Sequence, residues 1–197
     1  MSVVKVGDWA RAAEVLGRAA RGMHSSIDRA LRAEAQGLRT EIVSGLTNQA
    51  PGGSPIRELA PSTLAARRLG GFRGTLALIR RADLRNAITV VTRDMSVFVG
   101  VPRKTVRGKD LIDIAKENEF GFGPIVIRIT ERMRRFLAVL LREAGGGREA
   151  AKGAGGGSGV VVVHIPARPF LRPAFESWRV GVRQRFLRRI GRDVFGV

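Results

Sequence analysis

The sequence predicts an α+β fold: a small antiparallel sheet, a long N-terminal helix, a C-terminal helix and a flexible glycine-rich insertion, all in one domain. Three observations predict it. Apolar residues recur every three or four positions near both ends of the chain, as on the buried stripe of a helix. β-branched runs separated by short turns occupy the middle, as in hairpins. Residues 145–159 hold eight glycines in fifteen positions, a composition that cannot bury enough apolar surface to order itself.

Taken in order, Asp8 to Arg21 reads as an amphipathic helix with Trp9, Ala12, Ala13, Leu16, Ala19 and Ala20 on one stripe, and Gly22 is expected to end it. Residues 1–24 then form an N-terminal helical arm. Ser25 and Asp28 have the character of a new helix start. From Ile27 through Leu31, Ala35, Leu38 and Ile42 the spacing predicts about five turns, ending near Gly45. Pro51 to Gly74 is turn-rich, with a short helix after Pro61-Ser62-Thr63 and another expected near Thr75. Ile88–Val91 and Met95–Val101 predict a hairpin. Asp110 to Glu119 returns to helical spacing, Ile125–Ile129 reads as a strand, and Thr130 caps a helix with Met133, Phe136, Leu137 and Leu140 on its apolar face. After the glycine-rich segment, Val160–Ile165 is a strand. Pro166, Pro169 and Pro173 then lead to a last helix carrying Phe175, Trp178, Val182, Phe186 and Ile190.

The 197 residues include 35 Lys+Arg against 17 Asp+Glu, a formal net charge of +18. Such an excess favours contact with a polyanion, with acidic protein surfaces, or with both. Arginine far outnumbers lysine, which suits bidentate, partly desolvated pairing. With no cysteine in the chain, disulfide frameworks and thiolate metal sites are excluded. No apolar run reaches the roughly 20 residues that span a bilayer, and Met1–Trp9 lacks the apolar stretch of a signal peptide. A soluble protein made in the cytoplasm, with no membrane partner, is expected.

Little in the sequence points to catalysis. His24 and His164 each stand apart from any second ligand in sequence. Asp110, Asp113 and Glu117 fall at i, i+3 and i+7, so one helix face could cluster carboxylates. A nuclease would hold a divalent metal with such a set. The plainer reading is a solvated acidic face, or a patch answering basic surfaces on a neighbouring subunit. The glycine-rich segment lacks the Gly-Lys-Ser/Thr ending of a phosphate loop and leads into a strand. No catalytic, cofactor-binding or metal residues are nominated, no cofactor is expected, and a non-enzymatic role is.

Three segments carry a resemblance. Leu59–Ile88 holds a Leu-x-Pro-x-Thr helix start (Leu59, Pro61, Thr63) followed by Leu78-Ile79 and Leu84-Arg85-Asn86-Ala87-Ile88. Val97–Gly121 gives a Phe-Val-Gly-Val strand, a helix and Asn118-Glu119-Phe120-Gly121. Ile165–Ala174 reads IPARPFLRPA. In that order, over residues 25–190, they resemble the phage virion morphogenesis family of tail-completion (neck) proteins, with Asp83 and Ala87 standing where that pattern more often has Gly and Ser. The resemblance implies a homo-oligomeric ring, on the order of six or twelve copies, in the neck or tail top of a virion assembled in the host cytoplasm. Its partners would be head-completion or connector proteins and tail-terminator or tail-tube proteins, with non-specific contact to packaged DNA.

The candidate interface residues are Pro166, Arg168, Pro169, Phe170, Arg185, Arg189, Asp110, Asp113 and Glu117. Pro166 and Pro169 stiffen the exit from strand 160–165, Phe170 drops into a core, and Arg168 is expected to project toward an ion pair across an interface. Between Val160 and Val197 eight arginines face Glu176 and Asp193, a local net charge of +6. A face carrying Arg185 and Arg189 would meet acidic partners, so reversing both charges is expected to block joining while leaving the fold intact. The alternative is a DNA-binding protein gripping phosphate through these arginines.

Overall fold

The computed structural model describes residues 7–145 and 159–195. Helix α1 runs over Trp9–Thr47, 39 residues, roughly 58 Å at about 1.5 Å per residue. Asp8 caps it, its carboxylate accepting from Arg11 N at 3.0 Å. The break expected at Gly22 does not occur. A glycine inside a helix costs only about 1 kcal/mol, and the Ser25 hydroxyl donates back to Gly22 O at 2.9 Å rather than capping a new helix. The buried stripe of α1 begins at Ala19 and includes Ser26, Ala30, Glu34, Ala35, Leu38, Ile42 and Leu46.

Past α1 the chain turns tightly. Gln49 adopts φ 56°, and its side-chain amide donates to Leu46 O and Ala77 O while accepting from Ala77 N. A 3₁₀ turn at Pro51–Gly53 follows. Gly45 and Gly52 are required here, because a Cβ on Gly45 would run into Pro51 and one on Gly52 into the Pro173 carbonyl. Helix α2 spans Pro61–Leu69, with proline at its start. The short helix expected near Thr75 is absent. Leu78 and Ala82 both take φ 60°, incompatible with helix continuation, and helix α3 forms instead over Asp83–Ala87.

Strands β1 (Thr89–Arg93) and β2 (Ser96–Gly100) make the expected hairpin, with Val90 opposite Val99 and Val91 opposite Phe98. A two-residue ribbon of β3 (Thr105–Val106) and β4 (Lys109–Asp110) precedes helix α4, Leu111–Phe120. Asp110 caps α4 by accepting from Ile112 N at 3.0 Å. Strand β5 (Phe122–Arg128) pairs antiparallel with β6 (Val160–Ile165), and between them lies helix α5, Glu131–Glu143, capped by Thr130. Among the described residues the β structure is three separate antiparallel ribbons. Of the segment 145–159 read as flexible, residues 146–158 lie outside the described residues, as does most of the segment before α1.

The last helix is two. Helix α6 covers Leu171–Arg179 and helix α7 Val182–Phe195, separated by Val180 and by Gly181 at φ 74°. Helix α7 returns antiparallel along α1, as the contacts Arg29–Asp193 and Glu34–Arg189 require. The core gathers Leu38, Ile42 and Leu46 of α1 with Leu84, Ile88, Val101, Leu111, Ala115, Phe170 and Ala174. This is an α+β fold in which distant parts of the chain meet at one cluster.

Candidate interaction surfaces

The segment joining β6 to α6 is fastened from two sides. Arg168 N donates to Asn118 O, and its guanidinium donates to Arg57 O (2.9 Å) and Glu58 O (3.1 Å). The guanidinium of Arg168 is thus anchored within its own chain, its Nε and one terminal nitrogen occupied by carbonyls. Pro166 is half-buried and Pro169 exposed, while Phe170 is fully buried as expected. The fastening at the far side is Glu119. Its buried carboxylate accepts from the backbone N–H groups of Phe170, Leu171 and Arg172 at 2.9, 3.0 and 2.8 Å. These are orphan donors at the start of α6, and a carboxylate there also complements the helix dipole.

A second buried carboxylate, Glu34, holds α7. Arg185 Nε and Arg189 Nε reach its two oxygens, both at 3.2 Å, and Arg185 also donates to Trp178 O and Val180 O across the α6–α7 break. The two arginines expected to meet a partner are thus committed inside the chain. Reversing both charges is therefore expected to weaken the fold, because it would set two carboxylates against a third. Of the other C-terminal arginines, Arg179 pairs with Glu176. Arg172, Arg183, Arg188 and Arg192 make no ion pair among the described residues.

The acidic face of α4 is dispersed. Asp110 is used as a cap and lies 3.8 Å from Arg103. Asp113 is exposed and Glu117 half-buried. Among the described residues no group of three His, Asp or Glu side chains converges to hold a metal. His24 and His164 are both exposed. Among the described residues no helix is long and apolar enough to cross a membrane.

Two apolar surfaces lack a partner among the described residues, and none of the candidate interface residues lies on either. The first is an open cleft of about 560 Å³ between α1, β2, α4 and α6, with Leu38, Ile42 and Val99 inside and Phe98, Phe120 and Phe175 exposed along it. The second is the β5–β6 ribbon. Val126 lies opposite Val162 and, two residues on, Arg128 opposite Val160, so the three valines share one face. They are 64%, 55% and 54% exposed. No residue of β5 or β6 lines the cleft. Contiguous exposed apolar surface of this kind marks interaction sites. The sequence carried a signal for the second patch, since four consecutive valines at 160–163 leave no polar face for solvent. For the cleft it carried none, because its walls come from residues up to 137 positions apart in sequence, from Leu38 to Phe175.

Compared with known protein families, curated proteins and solved structures, the chain finds no match.

Proposed function

We propose that this chain is a structural, non-enzymatic subunit of a tailed-phage neck or tail-completion ring, joining head to tail around the path of the genome. The observation that carries the reading is the pair of unlike apolar surfaces on one chain: an open cleft edged by Phe98, Phe120 and Phe175, and a valine-faced ribbon that does not enter it. A closed ring is built from heterologous contacts, in which one patch of each copy fits a different patch of the next. The β5–β6 ribbon of one copy seated in the cleft of its neighbour satisfies that requirement and covers both surfaces. The phage assignment is supported by the segments Leu59–Ile88, Val97–Gly121 and Ile165–Ala174. All three fall on segments that build the core or the fastened corner.

The chain has no cysteine, which makes the test direct. A Phe98→Cys, Val162→Cys variant should, under mild oxidation, form disulfides between copies and a ladder ending at a closed ring. Immunogold labelling of particles should place the protein at the head–tail joint. A protein that sediments as a monomer at every concentration, forms no cross-link between copies and labels elsewhere on the particle would defeat the reading.

A further inference from the structure

Beside α2 and α4 lies a groove unconnected with either apolar surface. A hollow of about 200 Å³ is lined by Leu59, Leu78, Leu84 and Ile114 together with the guanidinium groups of Arg67, Arg80 and Arg168. It shares Leu78, Arg80, Leu84 and Ile114 with a larger one of about 450 Å³, which adds Arg81, Arg107 and Lys109. The single acidic residue lining either hollow is Asp83, and Arg107 pairs with it at 3.3 Å.

The three central arginines are held in place by neutral groups. Arg67 donates to Gly74 O (3.0 Å) and Leu76 O (2.8 Å). Arg168 donates to the Arg57 and Glu58 carbonyls. Arg80 lies over the Phe72 ring, 4.2 Å from its centroid. None of the three makes an ion pair among the described residues. Their mutual presence is unfavourable in the free chain. Burial, then Arg80 and Arg168, hold the Arg67 guanidinium below its ordinary pKa, and burial, then Arg57, does the same to Arg168. Guanidinium groups fixed in orientation and lacking a counter-ion are pre-organised for an oxyanion, because little side-chain entropy remains to be lost on binding.

We infer that this groove binds an acidic segment of a partner protein, its carboxylates on Arg67, Arg80 and Arg168 and one of its apolar side chains among Leu59, Leu78, Leu84 and Ile114. The apolar lining is what selects a polypeptide over a nucleic-acid backbone. A phosphodiester chain has no aliphatic group to place against leucine, whereas Asp- or Glu-rich segments commonly interleave them. The inference goes beyond the ring reading and does not depend on it, since the groove shares no residue with the cleft or the ribbon.

Fluorescence anisotropy tests it, with a labelled peptide that alternates glutamate pairs with leucine, an all-glutamate peptide of equal length, and a short random-sequence DNA duplex, all at physiological salt. The leucine-bearing peptide should bind more tightly than the other two. Arg80→Gln, which breaks no hydrogen bond in the structure, should weaken it at least about threefold, and Arg67→Gln with Arg80→Gln at least about tenfold. Arg11→Gln with Arg21→Gln, an equal loss of charge on the outer turns of α1, should change it less than about twofold. Tighter binding of the duplex that Arg80→Gln abolishes would overturn the inference in favour of nucleic acid. Equal losses in the α1 control would reduce it to bulk charge, and no binding of the leucine-bearing peptide would end it.

Discussion

The cluster around Ile42 and Phe170 and the arm formed by β5, α5 and β6 use the same kinds of residue to opposite effect. Phe170 and Ile42 are 0% and 2% exposed, Val126 and Val162 64% and 55%. The cluster recruits from α1, α3, α4, α6 and the flanks of the β1–β2 hairpin, and no residue between 122 and 165 belongs to it. In the arm, β5 and β6 pack chiefly on each other, and α5 packs on α2. A lone two-stranded ribbon is marginal in water. The difference teaches that the cluster holds the fold together while the arm leaves apolar surface exposed outside it.

The largest expected effects fall on the cluster. Phe170→Ala should destabilise the chain by about 4 kcal/mol, as a large side chain removed from a fully buried site. Glu119→Ala should cost about 3 kcal/mol, since it strands the N–H groups of Phe170, Leu171 and Arg172, and Glu119→Gln about half as much because one carbonyl oxygen remains to accept. Against these, Val126→Ala in the arm should shift stability by less than about 0.5 kcal/mol. Urea unfolding followed by circular dichroism measures all four. A Val126→Ala cost rivalling that of Phe170→Ala would break the comparison, because the arm would then be part of the core.

Next comes the α1–α7 junction, which sits between the two regimes. The side chains of Arg185 and Arg189 are 39% and 47% exposed while that of Glu34 is 7% exposed. Solvent therefore screens one side of the triad, and the cost falls below the roughly 3–5 kcal/mol of a fully buried broken pair. Arg185→Glu with Arg189→Glu should cost about 2 kcal/mol and release α7. Adding Glu34→Arg should restore most of it. A double mutant as stable as the parent would show that the triad is not what holds α7.

The two carboxylates that matter here, Glu34 and Glu119, were readable in principle. Glu34 stands three residues after Leu31 and four before Leu38, on the stripe that predicts the buried face of α1. Glu119 follows Leu111 and Ala115 at the same spacing in α4. An acid on an apolar stripe, in a chain with this many arginines and helix starts, demands an internal partner. The cap at Thr130, the hairpin and both long strands were legible because their signals are local. The continuity of α1 through Gly22 and the break at Gly181 were not. A helical glycine costs little enough that packing decides it, and the apolar spacing from Phe175 to Ile190 runs unchanged across the break. The exposed faces of Arg185 and Arg189 were misjudged for a related reason, because helical spacing says which residues share a face and not what that face meets. Nothing local distinguishes an arginine meeting a partner from one meeting α1.

The smallest effect expected is also the sharpest test of how separate the arm is. Helix α5 is tied to α2 by Arg68, whose Nε lies 3.1 Å from Glu143 Oε1 and whose terminal nitrogen donates to Glu143 O at 2.9 Å. Both side chains are about half exposed, 50% and 46%, and such pairs contribute between about 0 and 1 kcal/mol. Glu143→Gln should therefore move global stability by less than about 0.5 kcal/mol. Hydrogen exchange reports locally, and there the effect should be visible. Amides in the last turns of α5, from Leu137 to Glu143, should exchange about threefold faster as α5 frays from α2, and those of α4 and of α1 from Leu38 to Leu46 should not change. If the arm opens on its own, the perturbation stops at Thr130. Were it to reach Leu111 or Ile42, the arm and the cluster would be one cooperative unit, and the exposed valines would have to be explained without a partner.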